Sequence, residues 1–261
     1  MAPDTTWTAL RRGLPGHPPK AATYALALTT CLLLAVPPGT AHGAGRLAGI
    51  VIDLDPGHNG RNATHPAQIG RQVADGRGGH KDCDTTGTAT GSGYAEHAFN
   101  FDVARRTAAI LRARGARVVL TRADDSGVGP CVDSRGTSGN TVHANAVVSI
   151  HADGAPSSGR GFHIIETAHG RHTRADAALA HALRAAIQRD TGTHPANYVG
   201  SGTGIVQRDD LAGLNFSTQP KVFVEFANMR NAADARLLTS ATWRQRAAQA
   251  LADGIQAFLH R

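Results

Sequence analysis

Apolar and polar positions fall into short blocks that predict strands and helices in alternation. Ile50–Leu54 is apolar and β-branched, and Pro56-Gly57 stops it, which reads as a buried strand followed directly by His58. Residues 60–93 are rich in Gly, Thr and Asp and lack periodicity, so they predict a long loop of the kind that carries function. Phe99, Val103, Ile110 and Leu111 recur at helical spacing, and Gly115 ends the run. Strands are predicted at 116–121, 146–151, 161–166 and 222–226, with a short helix at about 135–145. A longer helix at about 175–189 presents Leu179, Leu183, Ala186 and Ile187 on one face. Residues 192–219 are again loop-rich, and Trp243, Ala247, Leu251, Ile255 and Phe258 mark a closing helical region from Leu237. Strands alternating with helices imply a single α/β domain whose twisted, mostly parallel central sheet has helices on both faces.

The first 43 residues depart from this pattern. Arg11, Arg12 and Lys20 precede an apolar run from Ala25 to Val36, and small residues follow at Gly39-Thr40-Ala41-His42-Gly43. That order reads as a secretory signal peptide at 1–43, with the folded domain at 44–261. The apolar run falls short of the roughly 20 residues that a bilayer requires, so stable membrane insertion is not expected. Cys31 lies inside the run. The remaining pair, Cys83 and Cys131, reads as a disulfide in an exported chain, and no Cys-x-x-Cys spacing suggests a zinc–thiolate site.

Composition narrows the partners. A formal charge of +7 favours an anionic partner or surface. With only 5% aromatic residues and scattered arginines, the pattern that binds nucleic acid is missing. Of 20 acidic residues only three are Glu, namely Glu96, Glu166 and Glu225, so a Glu on the apolar strand at 222–226 stands out.

Three polar residues share one context, since His58, His151 and Glu225 each stand at the carboxyl end of a predicted strand. In a parallel sheet those ends meet on one edge, and Glu96, at the start of a helix, faces the same edge. Two His and one Glu form a catalytic zinc set with a position left for water, and a further carboxylate held off the metal can move the water proton. Asp53 and Asp55 are candidates to orient His58, although Asp55 serves equally well to cap the Pro-Gly turn. His163 either reaches the site or sits on a strand face. Arg135, Arg208 and Lys221 are candidate contacts for an anionic substrate, against the usual role of such residues in surface solvation.

The ordered set Asp55-Pro56-Gly57-His58, Gly93-Tyr94-Ala95-Glu96, Thr121-Arg122, Arg135 with Asn140, Ser149-Ile150-His151-Ala152-Asp153 and Val222-Phe223-Val224-Glu225-Phe226 resembles the zinc-dependent N-acetylmuramoyl-L-alanine amidases of the bacterial cell wall. The resemblance spans nearly all of the chain after residue 43. It implies hydrolysis of the amide between N-acetylmuramic acid and L-alanine of the stem peptide. It further implies Zn²⁺ held by His58, Glu96 and His151, Glu225 as the catalytic carboxylate, and a peptidoglycan (muropeptide) substrate attacked by a monomer in the periplasm, cell wall or extracellular space. Two features depart from the usual pattern: Leu54 separates two acids, and the Gly-rich segment before Glu96 is long and carries Cys83. The Cys-bearing loop resembles that of secreted single-domain amidases from mycobacteria.

Overall fold

The computed structural model describes residues 46–169 and 173–260. The expected signal peptide and Cys31 lie outside the described residues. In chain order the elements are β1 (Val51–Pro56), α1 (Pro66–Ile69), β2 (Gln72–Ala74), β3 (His80–Asp82), α2 (Glu96–Ala113), β4 (Arg117–Leu120), α3 (Val132–Thr141) and β5 (Ala146–Asp153). Then follow β6 (His163–Thr167), α4 (Thr173–Thr191), β7 (Ile205–Arg208), α5 (Ala212–Asn215), β8 (Lys221–Asn228), α6 (Ala232–Thr239) and α7 (Ala241–Leu259).

Six strands form one sheet in the order β4-β1-β5-β8-β6-β7, and β2 and β3 form a separate hairpin. Every neighbouring pair in the large sheet is parallel except β6 with β8. The domain is therefore α/β with a mostly parallel sheet, as the strand–helix alternation implies. The reversal at β6 and the edge strand β7 are additions. The sequence pattern left 192–219 as loop, and strand direction leaves no mark on local hydrophobicity.

The two faces of the sheet are built differently. On one, Ile52, Leu54, Val148, Ile150, Ile164, Val222, Val224 and Phe226 are buried together with Phe99, Val103, Leu183, Trp243 and Leu251 from the helices. Helices α2, α4 and α7 pack there, and Gly254 of α7 lies against Leu183 of α4. Burying Leu-sized side chains at roughly 1.5–3 kcal/mol each supplies the main driving force for this layer. The other face carries Asp53, Asp55, Ser149 and Lys221, all buried, beneath α3 and α5.

Local sequence sets the helix boundaries. Asn231 caps α6 by accepting from the backbone N–H groups of Ala233 and Asp234, and the Ser240 hydroxyl accepts from Trp243 N at the start of α7. The closing helical region is thus two helices parted at Ser240, not one run from Leu237. The predicted helix at 135–145 lies earlier, at Val132–Thr141, because Cys131 begins it and a turn follows Thr141. The long 60–93 segment is partly ordered, holding α1 and the β2–β3 hairpin, and a disulfide between Cys83 and Cys131 ties it to the start of α3.

Candidate metal centre

The site begins where β1 ends. Gly57 follows the strand, and a Cβ there would come within 1.9 Å of the His151 ring, so only glycine lets the two histidines approach. His58 then turns the chain with φ of +57°, a left-handed conformation that needs external support. Arg135 gives it that support by donating to the His58 carbonyl (2.9 Å) and the Pro56 carbonyl (2.8 Å).

Glu96 is the first residue of α2, and its carboxylate reaches back over the strand ends. Its Oε1 lies 3.3 Å from His58 Nε2 and 2.9 Å from His151 Nδ1. Its Oε2 accepts from Thr88 N at 2.9 Å. Ligand atoms of His58, Glu96 and His151 all lie within 4.8 Å of one another. The His58 and His151 rings meet edge to face with centroids 5.1 Å apart, and Phe223 stacks on His151 at 5.0 Å.

The donor chemistry suits a divalent cation. His58 Nδ1 faces two acceptors, Asp84 Oδ1 (3.1 Å) and the Thr85 carbonyl (3.0 Å), so Nδ1 carries a hydrogen and Nε2 is the ring atom turned toward Glu96, available to a cation once it gives up its proton. Burial opposes charge on His58, but Glu96 and Asp84 outweigh it and hold the imidazole pKa at about 10. Burial likewise opposes charge on Glu96, and the two histidines overcome it and keep the group well below the usual carboxylate range. Two imidazoles leaning on one buried carboxylate need shared protons or a cation between them.

Glu225 lies beside this set. It pairs in register with His151 on β5 and with His163 on β6, so all three side chains leave the same face of the sheet. Its Oε2 is buried with no hydrogen-bond partner among the described residues. Burial, then the charges of Glu96 and Asp153, push its pKa well above the ordinary value. His163 is buried, and its pKa falls to about 4, mainly through burial. It faces the site side of the sheet and meets Tyr198 edge-on, while the Tyr198 hydroxyl donates to Asp153 Oδ2 at 3.0 Å. His58, His151, Glu225, Lys81, Arg208 and Phe223 line one cleft of about 440 Å³.

The predicted ligand trio and Glu225 are thus brought to one place, with one difference of detail. His151 and Glu225 sit inside their strands, which run on to Asp153 and Asn228, and a register irregularity falls between His151 and Asp153.

Other expectations change. Neither Asp53 nor Asp55 touches His58. Asp55 accepts from Arg135 (2.8 Å), Ser149 (2.6 Å) and Thr121 (2.7 Å), while Asp53 accepts from Ser138. Asp84 holds His58 instead. Its position beside Cys83, the residue bridged to Cys131, was the available signal. Arg135 and Lys221 are not surface cations: both are buried, and Lys221 Nζ donates to the Arg135 carbonyl at 2.7 Å. Arg135 and Arg208 both contribute to the cleft lining and Lys221 does not; Asp210 grips Arg208 through two hydrogen bonds of 2.7 and 2.5 Å.

Fold and site together define an α/β protein carrying a hydrolase-type His-Glu-His set, able to hold a metal, next to a free carboxylate. The profile of the N-acetylmuramoyl-L-alanine amidases matches residues 50–257, and the chain belongs to that family of peptidoglycan hydrolases. It is 45% identical to the N-acetylmuramoyl-L-alanine amidase Rv3717 of Mycobacterium tuberculosis over 216 residues, covering 82% of this chain and 88% of that protein. The crystal structure of the amidase Ami1 from Mycobacterium smegmatis is similar with a TM-score of 0.78 and 43% identity, over 82% of this chain and 98% of that one. The apo form of Ami1 from Mycobacterium abscessus gives 0.77 and 44%, over 81% and 99%.

Proposed function

We propose that this chain is an exported enzyme that uses Zn²⁺ to hydrolyse the amide between the lactyl group of N-acetylmuramic acid and L-alanine of the stem peptide. His58, Glu96 and His151 would hold the ion, and Glu225 would be the proton carrier. The observation that carries this reading is the convergence of two imidazoles and a buried carboxylate beside a second carboxylate that has an unpartnered oxygen.

When bound, Zn²⁺ supplies Lewis acidity toward the scissile carbonyl and lowers the pKa of water toward ~7. The chain's own residues do the rest. Asp84 and Thr85 fix the His58 tautomer, Phe223 fixes the His151 ring, and Thr88 N orients Glu96. Glu225 takes a proton from the attacking water and delivers it to the departing alanine nitrogen, the same carboxylate serving as base and then acid. The breaking C–N bond is replaced by a C–O bond, which leaves a free lactyl carboxylate and a free amine on the stem.

Residues 1–43 as a secretory signal fit a wall substrate, and no described helix is long and apolar enough to cross a membrane. N-terminal sequencing of secreted protein tests the cleavage site, and sedimentation tests the monomer expectation. For the chemistry, Glu225→Gln is expected to keep one zinc per chain and lose about 10²–10⁴-fold in turnover of purified muropeptides. Full activity in Glu225→Gln, or products with shortened stems instead of intact stem peptide and free glycan, would refute the assignment.

A further inference from the structure

A second groove of about 430 Å³ adjoins the cleft, within the size range of ligand sites. Thr85 lines the cleft, whereas Thr86, Gly87 and Thr88 line the groove, so one stretch of backbone divides the two. That stretch lies directly against the centre: a Cβ at Gly87, whose φ is +73°, would sit 2.7 Å from Glu96 Oε2 and 2.8 Å from the His58 ring. The walls differ in chemistry. The cleft is lined by Lys81, Arg135 and Arg208, by the acids Asp82, Asp84 and Glu225, and by apolar Ile165, Leu211 and Phe223, whereas the groove is lined by small residues, hydroxyls, Asn59, His97 and Arg230, with no carboxylate.

His97 is held by a short chain of hydrogen bonds. Arg122, a buried side chain, donates to Asp125 Oδ1 (2.9 Å) and to the His97 carbonyl (2.8 Å). Asp125 Oδ2 in turn accepts from His97 Nδ1 at 2.7 Å. This chain fixes the imidazole and leaves Nε2 without a partner among the described residues. Arg230 is exposed, and its side chain likewise makes no hydrogen bond among them.

We propose that this groove receives the sugar portion of the substrate, with His97 and Arg230 as its polar contacts, while the stem peptide lies in the cleft. The proposal rests on the amidase reading and adds a direction to it. Glu225 lines the cleft and not the groove, and it must reach the leaving nitrogen, which belongs to the stem. The acyl half therefore departs the other way, past Gly87. The stem carries both carboxylate and amine or amide groups, and the cleft presents both cations (Lys81, Arg135, Arg208) and acids (Asp82, Asp84, Glu225). The glycan is neutral and rich in hydroxyl and acetamido groups, which match a wall of hydroxyl, amide and imidazole groups without acids.

The test compares kcat/KM for two zinc-dependent cleavages by the full chain: a disaccharide-bearing muropeptide, and a D-lactoyl peptide of the same stem without sugar. In Arg230→Ala and in His97→Ala, the preference for the disaccharide substrate is expected to fall about tenfold, mostly through KM. Titrating the free disaccharide product by calorimetry reads the same contact without turnover, and weaker binding in both variants supports the groove. Equal losses on both substrates would mark a structural effect and overturn the proposal. So would unchanged preference, or disaccharide binding equal to that of the parent protein. If the parent protein leaves both substrates intact, the amidase reading itself fails, which is a distinct result.

Discussion

The two faces of the six-stranded sheet use the same strands to opposite ends. Ile52, Leu54, Val148, Ile150, Val222 and Val224 point to α2, α4 and α7 and form an apolar layer with almost no exposure. The alternate positions, Asp53, Asp55, Ser149, His151, Lys221 and Glu225, point to the other face. Its lower part is a buried ionic layer beneath α3, and its upper part is the candidate metal centre. One face supplies stability through area. The other holds charges that cost free energy to bury and are kept in place by pairing, with Asp55 between Arg135 and Lys221 and Asp84 between Arg135 and His58. The charged network is continuous with the site, whereas the apolar layer is separated from it by the sheet itself.

This contrast is open to direct attack. Arg135→Met leaves Asp55 and Asp84 without their shared cation, and a buried pair broken from one side costs about 3–5 kcal/mol. Leu54→Ala on the apolar face costs about 2–5 kcal/mol through the cavity it leaves. The two variants are expected to lose similar stability in denaturant titrations, yet only Arg135→Met is expected to weaken zinc binding as well, because Arg135 also holds the His58 carbonyl and Asp84. Equal zinc affinity in both would erase the distinction between the faces.

A smaller effect isolates the support of the centre from its stability. Asp84→Asn keeps the shape of the side chain but weakens the acceptor on His58 Nδ1. Loss of such an outer partner typically costs about 10–100-fold in metal affinity, measured by competition with a chelator. An unchanged affinity would mean that the Thr85 carbonyl alone orients the ring.

The smallest expected effect concerns a carboxylate away from the centre. Burial, and then the nearby Glu166, raise Asp176 to a pKa of about 7, while Lys221 N donates to its Oδ1 at 2.9 Å. A raised folded-state pKa means that the native protein binds the proton more tightly than the unfolded chain. Its contribution is therefore present below the unfolded value near 4 and is lost as pH rises through about 7. Asp176→Asn preserves the acceptor without the charge and is expected to raise stability by about 1 kcal/mol at pH 8, with little change at pH 4. A gain of the same size at both pH values would contradict the ionisation account.

Much of this was legible in the chain, and the reasons are physical. Asp55-Pro56-Gly57-His58 shows a strand, its stop and an imidazole, because the breaker residues and the apolar run are local signals. Glu225 is legible because a carboxylate on an apolar strand is out of place, whereas Glu96 sits where the helix dipole favours a carboxylate and stands out only through its place in the ordered set of motifs. The antiparallel β6 and the edge strand β7 were not legible, since pairing direction depends on distant partners. The burial of Arg135 and Lys221 was hidden too, because their acid partners lie 80 and 166 positions earlier in the chain, both at Asp55. Asp84 was hidden inside a polar loop and becomes meaningful only once Cys83 is anchored.

Zinc stoichiometry in metal-stripped protein titrated with Zn²⁺ is the most direct measurement. One tight site per chain is expected in the parent protein and in Glu225→Gln, lost in each of His58→Ala, Glu96→Ala and His151→Ala while the fold persists. Tight binding that survives in all three ligand variants, or none in the parent protein, would contradict the metal-centre assignment.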